Sequence, residues 1–253
     1  MTKISATIIT LNEEKNISRC LASLQDVVDE IVVVDSLSTD KTEEICKKYQ
    51  VRFIPQAFLG YVGQKNFAAQ QASNDFVFNI DADECLSEGL KAEILKIRSL
   101  DNPAPAYTMN RLNNYWGSWI KHCGLYPDRK LRIYDRRKGE FQGKYVHEKV
   151  VMKQDCETQH LKGDLLHYAY TSEQALIQQL DKFSTLRAKE YAERGKQVSS
   201  VKVYLKTAWK FFRDYVILLG FLDGRKGFRL CRIYANYEYQ KYSKTKSIIK
   251  SAK

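Results

Sequence analysis

No two of the six cysteines, Cys20, Cys46, Cys85, Cys123, Cys156 and Cys231, form a C-x-x-C pair. The spacings of zinc sites and disulfide frames are therefore absent, which leaves free thiols in a reducing compartment. The longest uncharged apolar run near the C-terminus, YVILLGFL at 215–222, is far short of the ~20 residues that span a bilayer. The opening MTKISATIITLNEE lacks a signal-peptide pattern: its short apolar stretch leads into acidic residues with no small-residue cleavage site. The expectation is a cytoplasmic protein, free or lying on a membrane surface. The chain has no internal repeat, no low-complexity segment and no glycine-rich phosphate loop near Thr10.

What is present is a globular composition, 44% hydrophobic and 28% charged over 253 residues, enough for one sizeable core with an appendage. The net charge of +11 is unevenly placed. Residues 196–253 hold 14 Lys and Arg against 3 Asp and Glu, so the first 195 residues balance to zero. This predicts a main domain over 1–195 and a basic helical tail over 196–253 that meets an anionic partner.

The first hundred residues alternate in period. SATIITL (5–11), EIVVVD (30–35), VRFIP (51–55) and DFVFNID (75–81) are short β-branched or aromatic runs. Helical patterns separate them, one announced by Asp40 with Glu43 three residues later. That order predicts an α/β fold with a mostly parallel sheet flanked by helices. TSEQALIQQLDKFSTLRAKEYAERG reads as a long amphipathic helix with Leu176, Leu180, Phe183 and Leu186 on one stripe, and two more helices are expected at 199–219 and 227–242.

Ligands of such sheets bind beyond the carboxyl ends of the strands. There stand Thr10, Asn12 and Glu13, then Asp35 and Ser36, then Asp81 and Asp83 with Glu84. Like charges that close need a partner. A hard divalent cation, Mg²⁺ or Mn²⁺, supplies one when it is held by carboxylates and a substrate diphosphate.

The segments TIITLNEEKNISRCLASL, DEIVVVDSLSTDKT, GQKNFAAQQASNDFVFNIDADE and YVHEKV resemble the family 2 glycosyltransferases of GT-A fold. The resemblance is nearest to bacterial lipopolysaccharide core β-1,4-glucosyltransferases, in which a turn like GFLDGRKG and a basic helical tail also follow the catalytic domain. It implies transfer of glucose from UDP-glucose to an inner-core heptose, at the inner face of the inner membrane. Thr10, Asn12, Glu13 and Lys65 would then line the nucleotide pocket, Asp35 would face the base, Asp81 would lie near ribose and metal, and Asp83 would ligate the metal. The family's usual late acidic motif is replaced here by VHE, which makes Glu148 the candidate base beside His147, with Asp128 in reserve.

The chemistry asks for the same parts. A nucleotide-sugar reacts through an oxocarbenium-like state, the leaving diphosphate needs cations, and the acceptor hydroxyl needs a base. One base and no protein nucleophile implies inversion. Arg129 and Arg132 are candidates to grip phosphate. His147 can equally satisfy a strand end, and His167, after Leu165 and Leu166, is either a strand-end metal ligand or a core histidine. Tyr115, Trp116 and Trp119 read as core, with an acceptor-site role open through Asn113 and Asn114. The expected partners are a nucleotide-sugar, a lipid-linked core oligosaccharide and an anionic membrane surface. The competing readings are transfer to another cell-surface polysaccharide, a nucleotidyltransferase, which would release pyrophosphate, and a non-enzymatic basic module for nucleic acid. The neutral first 195 residues count against the last.

Overall fold

The structure is a computed structural model that describes residues 1–143, 148–153, 156–195 and 199–251. Its main sheet runs β3 (Arg52–Pro55), β2 (Glu30–Asp35), β1 (Ile4–Thr10), β4 (Phe76–Asn79), β8 (Asp128–Asp135), β6 (Ala106–Tyr115), β11 (Thr158–Tyr170) and β5 (Glu84–Leu86), with β7 (Ser118–Ile120) paired to β6. A separate hairpin joins β9 (Gly139–Gln142) to β10 (Lys149–Met152).

The first four strands pair in parallel. Their runs are apolar on both faces because helices cover both. Ile4, Ala6, Ile8, Ile31 and Val33 enter one buried cluster with Ile17, Leu21 and Leu24 of α1 (Ile17–Leu24), whereas Val32 and Val34 meet Ala68 of α3 (Gly60–Gln71) on the other side. The expected helix after Asp40 is α2 (Thr42–Cys46), and Asp40 accepts from the Thr42 amide at 2.9 Å. Beyond β4 the sheet turns antiparallel: β4 to β8, β8 to β6, and β11 to β5.

One irregularity in that half redirects a charged side chain. Tyr107 lies opposite Ile133 and Thr108 opposite Leu131, so Arg132 has no opposite residue. It is the extra residue of a β-bulge, a device that redirects side chains.

The chain forms two compact units, Met1–Leu112 with Asp128–His167, and Asn113–Pro127 with Tyr168–Lys253. The boundary drawn on charge at 195/196 and this division by contacts differ, because α5 (Glu173–Glu193) packs on α7 (Gly224–Ser251) within the second unit. The α5 stripe is shorter than expected: Leu176 is fully buried, but Leu186 is exposed. Tyr115 belongs to the core of that unit, stacked on Tyr170 at 5.5 Å and sharing a hydroxyl hydrogen bond with Tyr234 at 3.0 Å. The tail is α6 (Ser200–Phe212), a π turn at Arg213–Ile217, a 3-10 turn at Gly220–Asp223, and α7, nine residues longer at its end than the sequence pattern suggests.

In the first unit, β11 is locked to the start of α4 (Glu88–Ser99). Ser87 donates its amide to the Asp164 carbonyl at 3.1 Å, and its hydroxyl accepts from the Asp164 amide at 3.0 Å. Gly163 makes this approach possible: its φ is +88°, and a Cβ there would lie 2.4 Å from the Leu90 nitrogen. Gly163→Ala is expected to cost roughly 1–3 kcal/mol of stability, read as a lower urea midpoint. Gly195→Ala, with open space around it, controls for the φ effect alone.

Candidate active site

The carboxyl ends of β1, β2 and β4 meet at one edge because Thr10 pairs with Asp35 and Thr7 with Asn79. Thr10 donates its hydroxyl to Asp35 Oδ1 at 2.8 Å, and Asp35 also accepts from the Ser38 amide at 2.7 Å. Both Thr10 and Asp35 are buried, so Asp35 latches the loop that follows β2. Asn12, at φ +57°, donates its amide to the Ser38 hydroxyl at 2.8 Å and accepts from the Thr39 amide at 2.9 Å. Ser36 accepts from Gln64 Nε2 of α3 at 3.2 Å. Glu13, half-buried, accepts from Asn16 at 2.9 Å. Burial, with the nearby charges of Asp83, Asp40 and Asp81, raises the Glu13 carboxyl above its ordinary range despite that bond.

The partner of the acidic strand end is a buried cation. Arg132 reaches Asn79 Oδ1 at 3.1 Å, Asp81 Oδ2 at 2.8 Å and Glu84 Oε1 at 2.6 Å. Arg132, expected to grip phosphate, is engaged here by two carboxylates. Arg129, three residues away on the same strand, is exposed. Arg132 is buried, so the two arginines do not converge.

Lys65 arrives from α3 on the other side of Asp81. Its Nζ is 3.0 Å from Asp81 Oδ1 and 3.4 Å from Glu148 Oε1, and it sits 5.3 Å from the centre of the Phe141 ring. Signs thus alternate from Glu148 through Lys65, Asp81 and Arg132 to Glu84. Arg111 extends the series, 3.6 Å from Glu84 and 2.8 Å from Asp128, which Lys130 also holds at 2.9 Å. Burial pushes the Asp81 carboxyl up, but Arg132 and Lys65 outweigh it and hold the group well below the carboxylate range. For Glu84 burial prevails over Arg132 and, with the charge of Asp81, raises the carboxyl.

Asp83 and His167 also come together, with Asp83 Oδ2 3.2 Å from His167 Nε2. His167 is placed by the pairing of β11 with β5, where it lies opposite Glu84. Among the described residues no group of three or more His, Cys, Asp or Glu is arranged to hold a metal. The pair still fits a cation that takes its remaining ligands from a diphosphate. His147 lies outside the described residues.

The strongest chemical signal is Glu148. Its Oε2 is buried and has no hydrogen-bond partner among the described residues. A buried carboxylate oxygen without a donor is costly, and an acceptor hydroxyl would supply that donor. Asp128, the reserve candidate, already engages two cations. The sequence marks Glu84 as part of the acidic cluster without a role of its own, and it does not mark Arg111 as a site residue. Glu84 was visible as the third acid of the cluster, whereas Arg111 carried no local signal.

Residues 5–152 match Glycosyl transferase family 2. An uncharacterized glycosyltransferase of Rickettsia typhi is 33% identical over 98% of this chain and 88% of its own length. The lipopolysaccharide core biosynthesis glycosyltransferase LpsC of Rhizobium meliloti is 31% identical over 95% of this chain and 93% of its own. Among solved structures, S. aureus TarS 1-349 aligns over 99% of this chain and 92% of that one, at 17% identity and a TM-score of 0.42, a likeness too loose to build on.

Arg132→Leu leaves Glu84, which is 0% exposed, without its main partner. A loss of about 3–5 kcal/mol is expected in urea unfolding. Adding Glu84→Leu should recover part of that loss, because it removes the stranded charge.

Proposed function

Because the chain belongs to glycosyl transferase family 2, we propose that it is an inverting hexosyltransferase that moves glucose from UDP-glucose onto a heptose of the lipopolysaccharide inner core. The observation that carries the chemistry is the Oε2 of Glu148, beside Lys65 and without a hydrogen-bond partner among the described residues. The name of the LpsC relative supports the acceptor class. Transfer to another cell-surface polysaccharide would use the same machinery.

In this reading Glu148 takes the proton of the acceptor hydroxyl as that oxygen bonds to the anomeric carbon and the carbon–diphosphate bond breaks. Attack and departure lie on opposite faces, so an α-linked donor gives a β-linked product. Lys65 holds Glu148 and Asp81 in register. Thr10, Asn12, Glu13, Asp35 and Ser36 form the strand-end wall toward the nucleotide. Arg132 orients Asp81, and Arg129 is left for contact with substrate. Asp83 and His167 would hold Mg²⁺ or Mn²⁺, which when bound neutralises charge on the leaving diphosphate. A carboxylate with an imidazole favours Mn²⁺ over Mg²⁺, since imidazole suits transition metals. The acceptor is lipid-linked, so the reaction belongs at the cytoplasmic face of the inner membrane.

Glu148→Gln keeps shape and hydrogen bonding but accepts no proton. Turnover should fall roughly 10²–10⁴-fold, with UDP-glucose binding by calorimetry unchanged. A loss below tenfold would move the base elsewhere.

Asp83→Ala and His167→Ala should each weaken Mn²⁺ binding, followed by electron paramagnetic resonance, and abolish transfer. Chelator should inactivate the wild type, and full activity in EDTA would remove the metal from the scheme.

A further inference from the structure

Helix α6 is amphipathic with its sides reversed. Val203, Lys206 and Lys210 form the side engaged with the rest of the second unit: Val203 is buried, Lys206 donates to the Tyr242 hydroxyl at 3.0 Å, and Lys210 pairs with buried Asp214. Arg213 also binds Asp214, at 2.7 Å. The opposite side is apolar. Val201, Tyr204, Leu205, Trp209 and Phe212 recur at helical spacing and are 48–69% exposed. The π and 3-10 turns continue the patch, with Val216, Ile217, Leu219, Phe221 and Leu222 exposed.

A surface helix normally turns its apolar stripe inward, and a continuous exposed patch marks a binding surface. Of the cations expected to meet an anionic partner, Lys202, Lys206, Lys210 and Arg213, the last three are occupied inside the unit and Lys202 is exposed. Their place is taken by another set. Arg225, Arg229 and Arg232, one face of the first turns of α7, line a cleft of about 450 Å³ with Tyr215, Phe221 and Phe228. Arg225 and Arg232 have no ion-pair partner among the described residues, while Arg229 reaches Glu173 at 3.3 Å. Phe221 belongs to both the exposed turn and the cleft, so anion site and apolar patch are continuous.

We propose that this face docks on an anionic lipid bilayer, with α6 and the 216–222 turn in the interface and the three-arginine cleft receiving a phosphate headgroup. Charge selects this occupant. Residues 196–253 carry the whole net +11, so a second copy facing this one would be repelled. A nucleic acid would meet valine, leucine and tryptophan where it needs cations. A bilayer offers anions at its surface and hydrocarbon just beneath. Among the described residues no helix is long and apolar enough to cross it, so the contact is interfacial. Docking does not depend on which sugar is moved.

The test uses the full chain with phosphatidylcholine vesicles, with and without phosphatidylglycerol, read by co-sedimentation and tryptophan emission. Binding should require phosphatidylglycerol, fall with added salt, and shift the emission of Trp209 to the blue. Trp209→Ser with Leu222→Ser should abolish binding. Arg225→Gln with Arg232→Gln should weaken it about 25-fold at low salt, near 5-fold per residue. Both pairs change exposed side chains, and circular dichroism verifies their folding. Equal binding to neutral and anionic vesicles, binding to neither, or wild-type binding by either variant would overturn the proposal. So would a dimer in sedimentation equilibrium that Trp209→Ser dissolves, because the face would then belong to a second copy.

Discussion

The guanidinium of Arg132 is the interaction on which the candidate site rests. Asp81 and Glu84 are three residues apart at the end of a buried strand, and neither can be ionised there without a cation close by. Arg132 reaches both, and Asn79 as well, from the adjacent strand β8. With Asp81 fixed on that side, its second oxygen faces Lys65, and Lys65 in turn approaches Glu148. Each charge in the series is placed by the one before it. The preorganisation is electrostatic and already present without substrate, which is where such sites do most of their work.

That same order separates the two candidate bases. Asp128 is held by Arg111 and Lys130, and a proton accepted there would disrupt two ion pairs. Glu148 has a cation 3.4 Å from Oε1 and, among the described residues, no hydrogen-bond partner on Oε2. Lys65 holds one of its oxygens in place and leaves the other available. The contrast is one of hydrogen-bond supply, and it does not require the two carboxylates to differ in kind.

The strands, their parallel pairing and the shared edge of Thr10, Asp35 and Asp81 were legible in the sequence. β-Branched runs buried on both faces and acids at their ends leave few alternatives. The fate of Arg132 was not. It depends on a bulge, and a bulge is a property of two paired strands that neither strand's own residues announce. Arg129 and Arg132 look equivalent in a string, yet one is exposed and the other buried. Arg111 was invisible for a similar reason: its partners are 17 and 27 positions away in the chain. His167 was legible as a strand-end residue, but its meeting with Asp83 comes from an antiparallel pairing of β11 with the short β5.

The tail shows where counting charge stops being informative. Net charge predicts the sign of a partner but not which side chains remain to meet it. Lys206 and Lys210 of α6 and Arg213 of the following turn act within the second unit, two of them on a buried aspartate. The apolar residues on the outer side are another matter. A side chain that is exposed in both the folded and unfolded states gains little from folding, since the hydrophobic term scales with the area removed from water. Burying Val203 and pairing Asp214 explains why α6 is a helix and how it is held. Neither explains Trp209, Phe212 and Leu222 facing solvent. A surface that covered them after folding, such as the bilayer proposed above, would gain from the same physics that built the core.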